Sequence, residues 1–317
     1  MSDAEKHKTR VPSSDQMIDS ILAFDFMDLD IDALAKDGKC YKCDGSLDID
    51  SSQVVLEFMR KLFFYGDEEP NSWLRRSNWK LSLKPNKLKE WQLELRPEIS
   101  GAESSSYILR GDTLIAYRAM ACRWKKSISH EELKKIADDE GKPILDFCSD
   151  DKLINDHRLA SFFLLPVNSR KEGRELNLNQ ERGLHLSDNP FCFFSILREA
   201  FECEDENERR GWVKQHRYSR LRGTIMSTWW FWGLFGSGTD GFDAFIDRFC
   251  LEPVLDHPRF EEYCDFGTVR RECVPDYIRA VHELRMEREN LMKERLKKMD
   301  NNALEELYEL IFPAYRA

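Results

Sequence analysis

The chain has 317 residues, an apolar fraction of 41% with 12% aromatic, and a formal charge of −10. That apolar share, led by 20 Phe and 8 Trp, is enough for a substantial core. The negative balance excludes a generic nucleic-acid binder, because phosphate backbones reward clustered Lys and Arg.

The N-terminal "MSDAEKHKTRVPSSDQ" is polar, lacks an apolar signal core and reads as a disordered tail over residues 1–16. Ordered structure is expected from "MIDSILAFDFMDLDIDALA" onward. "DGKCYKCDGSLDID" reads as a loop, and in "SSQVVLEFMRKLFFYG" the residues Val55, Phe58, Met59 and Leu62 share one helical face, with Ser51 or Ser52 as the N-cap. "WKLSLKPNKLKEWQLELRPEI" alternates apolar and polar residues about a Pro-Asn turn, which predicts a hairpin. "SYILRGDTLIAYRAMACRW" reads as two further short strands across a turn at Arg110-Gly111-Asp112.

"SHEELKKIADDEG" predicts a helix with a Ser129/Glu132 capping box and a stop at Gly141. The unbroken apolar run of "RLASFFLLPV" predicts a buried strand ending at Pro166, with a short strand at Leu176–Leu178 to follow. Pro190 opens a helix over "FCFFSILREAFE". From Asn207 the chain reads as largely helical through the Trp cluster, "TDGFDAFIDRFCLEPVL", a long charged helix after Pro275, and "NNALEELYELIF".

Strands gather in the first half and helices in the second. The expected class is therefore α+β: a small, mostly antiparallel sheet packed by C-terminal helices, helix-rich overall. A single domain over 17–300 is expected, with a weak sub-boundary near 185 and a helical extension over 301–317. No run reaches the roughly 18–20 apolar residues of a membrane span. Nine cysteines, odd in number and mostly among apolar neighbours, suit a reducing cytosol.

Taken in order, these segments resemble an uncharacterised bacterial family, a domain of unknown function whose members are often labelled only "cytoplasmic protein". The resemblance rests on "FDFMD", "YILRGDTLIAYRAMACRWKK", "FFLLPVN…LNLNQERG", "LSDNPFCFFSILREAF", "GFDAFIDRFCLEPVL" and "VPDYIRAVHELRMEREN", in matching order over roughly 23–290. It implies a fold and a cytoplasmic location, and no established activity. The longer loops, extra cysteines and heavier Trp content depart from the family pattern.

Four constellations carry chemistry. "GSGTDG" matches G-x-G-x-x-G, but the Trp-rich segment before it is unlike a parallel strand, and two acids in the following turn would repel phosphate. It reads as a hinge ahead of a helix capped by Thr239, with Asp240 and Asp243 favourable to the dipole. Cys40-x-x-Cys43 lacks a second ligand pair and has acidic neighbours in Asp37 and Asp44, so two free thiols are expected and no metal. Trp229, Trp230 and Trp232 read as core, or as a partner patch if exposed.

The fourth is the polar set around the apolar strand: Asn168, Asn177, Asn179, Arg182, Gly183, His185, Asp188 and Arg198. Guanidinium forks suit carboxylate or phosphate, so Asn168, Asn179, Arg182, His185, Asp188 and Arg198 form the candidate anion site. Arg182 or Arg198 bridging Asp188 or Asp247 is the structural alternative. The expected function is a non-enzymatic binding or interaction protein for an anionic small molecule or protein group, with no cofactor. The alternative is an enzyme on a nucleotide or phosphorylated substrate, with Arg182 and Arg198 as clamps and His185 or Asp188 as acid–base. A third reading is a homodimer through the helix at 276–299, along Ile278, Val281, Leu284 and Met286.

Overall fold

The computed structural model describes residues 12–29, 52–66, 79–85, 91–97, 107–113, 158–169, 175–176, 198, 201–203, 205, 207–208, 211, 238–253, 264–265, 268–269 and 274–312. Among them lies an α+β fold with an antiparallel five-stranded sheet in simple order β1 to β5, packed by helices from both ends of the chain. The strands are β1 (Trp79–Pro85), β2 (Trp91–Pro97), β3 (Tyr107–Thr113), β4 (Phe162–Ser169) and β5 (Glu175–Leu176). The helices are α1 (Ser14–Ala23), α2 (Gln53–Phe63), α3 (Gly238–Arg248), α4 (Val274–Lys297) and α5 (Asn301–Ile311). A two-stranded ribbon, β6 (Cys264–Asp265) and β7 (Thr268–Val269), precedes α4. No helix of the described residues is long and apolar enough to cross a membrane.

Helix α1 opens at Ser14, ahead of the first apolar residue of its stripe. A reciprocal capping box fixes this start: the Gln16 amide donates to the Ser13 hydroxyl, and the Ser13 amide donates to the Gln16 side chain. Helix α2 is capped by Ser52, whose buried hydroxyl accepts from the Val55 amide, and it buries Val55, Phe58, Met59 and Leu62 as its spacing requires. Helix α1 packs on α4 and α5, α5 packs on α2, and α2 lies on the β1–β3 part of the sheet. The Lys293 ammonium reaches Asp19 at 2.6 Å between α4 and α1, and the Tyr65 hydroxyl donates to the Asp300 cap of α5 at 2.8 Å.

Three prolines set the phase of the sheet, because a proline has no N–H for the ladder. Trp79 faces Pro97 and Pro85 faces Trp91 across β1 and β2. The bonded pairs are therefore the even ones: Lys80 with Arg96, Ser82 with Glu94 and Lys84 with Gln92. Alternation carries that phase through Leu93–Leu109 to β4, where Pro166 stands opposite Leu109 in a non-bonded pair. Pro166 turns its missing donor toward β5, which pairs only with Asn168 and Ser169.

That phasing explains two departures from the sequence reading. β4 continues through Pro166 to Ser169, because the proline interrupts no bond to β3. Arg110-Gly111-Asp112 is no turn: β3 runs straight across it, each residue paired with β4, and Gly111 is buried opposite Leu164. A continuous partner strand outweighs the local turn preference of Gly-Asp. The short strand expected at Leu176–Leu178 is Glu175–Leu176.

Leu81, Leu93, Leu95 and Leu109 lie on one face, and Phe162 at the start of β4 joins them. Phe26 meets Phe162 at 5.4 Å and Phe58 of α2 at 5.7 Å, which marks this face as the one beneath α2. The other face carries Gln92, Glu94 and Ile108, all buried. Glu94 is 4% exposed at its side chain, receives the Lys84 ammonium, and is gripped by the Arg96 fork at 2.8 and 3.1 Å. A carboxylate so buried is sustained by its paired cations.

Candidate functional site

The sequence placed its candidate site beyond the apolar strand. Asn168 lies in β4, paired in register with Leu176 of β5. Arg198 is helical and half exposed, and its guanidinium stands 4.0 Å from Glu202 one turn on. Asn179, Arg182, His185 and Asp188 lie outside the described residues, as do Asn177, Gly183, Cys40, Cys43, Trp229, Trp230 and Trp232. Asp247, named as a possible ion-pair partner, is exposed and uses its backbone carbonyl in the junction described next. Leu284, part of the stripe proposed for pairing, is buried within the chain, whereas Met286 is 42% exposed.

The "GSGTDG" stretch ends inside α3, which begins at Gly238 rather than after Thr239. Thr239 is therefore a first-turn residue and no cap. Asp240 occupies that first turn, exposed, where its charge complements the helix dipole.

The densest polar chemistry among the described residues is at the other end of α3. The helix closes in a Schellman motif: the Leu251 amide donates to Ile246 O at 2.9 Å and the Cys250 amide to Asp247 O at 3.1 Å. Such an end needs a left-handed residue, usually glycine; here Cys250 takes it, with φ of 52°. A side chain at that conformation costs about 1 kcal/mol. Leu251 and Ile246, both buried, supply the apolar contact that accompanies the motif.

Arg288 of α4 completes this end. Its side chain is fully buried, and its Nε donates to Cys250 O at 3.1 Å and Nη2 to Phe249 O at 3.2 Å. Its Nη1 donates to Phe162 O at 2.7 Å and to Ala160 O. One guanidinium thus joins the end of α3 to the 3₁₀ turn Leu159–Ser161 and the first residue of β4. The orphan carbonyls of a helix C-terminus carry partial negative charge, which is what a buried cation requires. Burial nevertheless lowers the Arg288 pKa to about 10, with Cys250 and Glu252 pulling the other way.

Two more arginines repeat the device at the end of α2. Arg248 Nη1 donates to Phe63 O at 3.0 Å, and Arg295 Nε donates to Leu62 O at 3.2 Å while its Nη1 reaches Asp247 O at 3.4 Å. The aromatic rings beneath are continuous: Phe249 meets Phe63, Phe64, Phe163 and Phe245 at centroid distances of 5.2, 6.0, 6.2 and 5.0 Å.

This cluster holds a thiol and a carboxylate, and the environment of each decides its chemistry. Burial pushes the Cys250 thiol up, against the pull of Arg288 and Arg295. A thiol kept protonated is a poor nucleophile. Burial also raises Glu252, whose Oε2 has no hydrogen-bond partner. Because the folded pKa of Glu252 lies above its unfolded value, its contribution to stability is fully present below about pH 4.5 and is lost as pH rises through the folded value. Glu252→Gln is therefore expected to raise the denaturation midpoint at pH 7 and to match the native protein near pH 4; urea titrations at the two pH values check it.

The arginine junction went unread in the sequence, although a signal was there. Arg288 falls four residues after Leu284 and four before Met292, so the apolar stripe of α4 runs through it. Among the described residues no group of His, Cys, Asp and Glu is placed to hold a metal ion. No family model, curated protein or solved structure compared with the chain matches it.

Proposed function

We propose that this chain is a non-enzymatic binding or interaction protein whose Asn/Arg cluster beyond β4 receives an anionic small molecule or protein group. The observation that supports the reading is Arg198, half exposed and only loosely paired with Glu202 at 4.0 Å. Exposed pairs of this kind are worth about 0.2–1 kcal/mol, so an incoming carboxylate or phosphate displaces Glu202 at little cost. In this reading Asn168, Asn179, Arg182, His185 and Asp188 surround the bound group. The chain then belongs to the bacterial family its segment order resembles and works in a reducing cytosol, where Cys250 persists as a buried free thiol.

The test is thermal denaturation in the presence of inorganic phosphate, nucleotides and phosphorylated metabolites. A bound ligand at about 100 times its dissociation constant adds about 2.7 kcal/mol to stability. Arg198→Ala is expected to abolish that gain while leaving the ligand-free transition almost unchanged, and Arg198→Lys to restore part of it. A ligand that stabilises the native protein and Arg198→Ala equally removes the proposed site. Conversion of the ligand, followed by phosphorus NMR, replaces this reading with that of an enzyme.

A further inference from the structure

We infer that the outer edge of β1, with which no strand among the described residues pairs, is a docking site for an extended acidic segment of a partner protein, added to the sheet as a further strand. The inference is independent of Arg198 and rests on the sheet alone. β1 is the terminal strand of the five, seven residues long, and no strand among the described residues pairs with its outer side. The proline phasing commits the backbone groups of Lys80, Ser82 and Lys84 to β2, so Trp79, Leu81 and Leu83 turn their N–H and C=O groups outward. Those groups are the hydrogen-bonding template that strand addition uses.

The charge beside that edge selects the occupant. Lys80, Lys84 and Arg96 lie on one face of β1 and β2, and the one carboxylate of these two strands, Glu94, is buried and already held by Lys84 and Arg96. Exposed Lys80 stands directly across from Arg96, a like-charge pair that is unfavourable in isolation. An added strand places alternate side chains on this face, beside Lys80, Ser82 and Lys84. Aspartate or glutamate at every second position relieves the Lys80–Arg96 repulsion. The same lysines oppose edge-to-edge pairing with a second copy of β1, because lysine would meet lysine.

The experiment measures fluorescence anisotropy of a labelled heptapeptide alternating valine and aspartate, against the full chain. A second peptide of the same composition carries its aspartates in one block. Saturable binding of the alternating peptide is expected, with the block peptide at least about tenfold weaker, since only alternation satisfies both the backbone and one charged face. Lys80→Glu, an exposed change, is expected to weaken binding about tenfold. Leu83→Pro deletes one outward N–H without touching the ladder to β2 and is expected to reduce binding with the sheet signal in circular dichroism retained. Equal affinity for the two peptides, an unaltered affinity in Lys80→Glu, or no saturation up to about 1 mM overturns the inference. Single-stranded DNA binding as tightly as the alternating peptide also overturns it, because the edge would then attract any polyanion.

Discussion

Replacing Arg288 by alanine is expected to remove about 4 kcal/mol or more of stability, a large part of the roughly 5–15 kcal/mol that holds an ordinary domain together. The side chain touches no substrate-like surface; its value lies in the four carbonyls it satisfies, those of Ala160, Phe162, Phe249 and Cys250. Without it the end of α3 and the start of β4 present buried acceptors to one another, each costing about 1–3 kcal/mol if left unmade. Arg288→Lys keeps the charge and loses the planar fork, and is expected to cost about half as much. Arg288→Met fills the space and leaves the carbonyls unpaired, so its cost should stay close to that of alanine. Urea midpoints with a shared slope measure all three. A methionine variant within about 1 kcal/mol of native would show that the carbonyls find other partners.

The second large effect is expected at Phe249. Its ring is fully buried and touches Phe63 at the end of α2, Phe64 just after it, Phe163 of β4 and Phe245 of α3. Phe249→Ala should cost about 3–5 kcal/mol through lost burial and the cavity left behind. Aromatic pairing adds about 0.5–1.5 kcal/mol beyond area, which Phe249→Leu isolates as a smaller loss. Because the Phe249 carbonyl accepts from Arg288, the two sites share one junction. The double variant Phe249→Leu, Arg288→Lys should therefore fall short of the sum of its parts, and a denaturation cycle of the four proteins measures the difference.

Where local pattern and tertiary demand agree, the sequence is legible. Val55, Phe58, Met59 and Leu62 lie at helical spacing and are buried on α2, and Ser52 caps it where a serine was expected. The strict alternation from Trp79 to Pro97 forms the β1–β2 hairpin strands. Illegible parts are those in which a non-local partner overrules the local signal. Gly111 reads as turn material until β4 lies against it, and Pro166 reads as a strand end until its missing donor is seen to face the short β5. Arg288 reads as one more charge on a charged helix, because its four acceptors come from backbone that no side-chain pattern reveals. Of the candidate anion site, only Asn168 and Arg198 fall within the described residues, one on the β4–β5 pair and one exposed on a helix.

The Arg288 junction also sets a timetable. Phe162 and the arginine that donates to its carbonyl are separated by 126 residues, and Ala160 and the same arginine by 128. Translation at about 5–20 residues per second leaves the first strand of that junction waiting roughly 6–25 s for its cation. The sheet and α3 are thus made before the group that joins them, and during that interval the carbonyls of Ala160 and Phe162 lack the guanidinium that pairs them. A nascent chain halted short of residue 288 holds every backbone acceptor of the junction and none of its Arg288 donors, so the order of synthesis places the closing contact last.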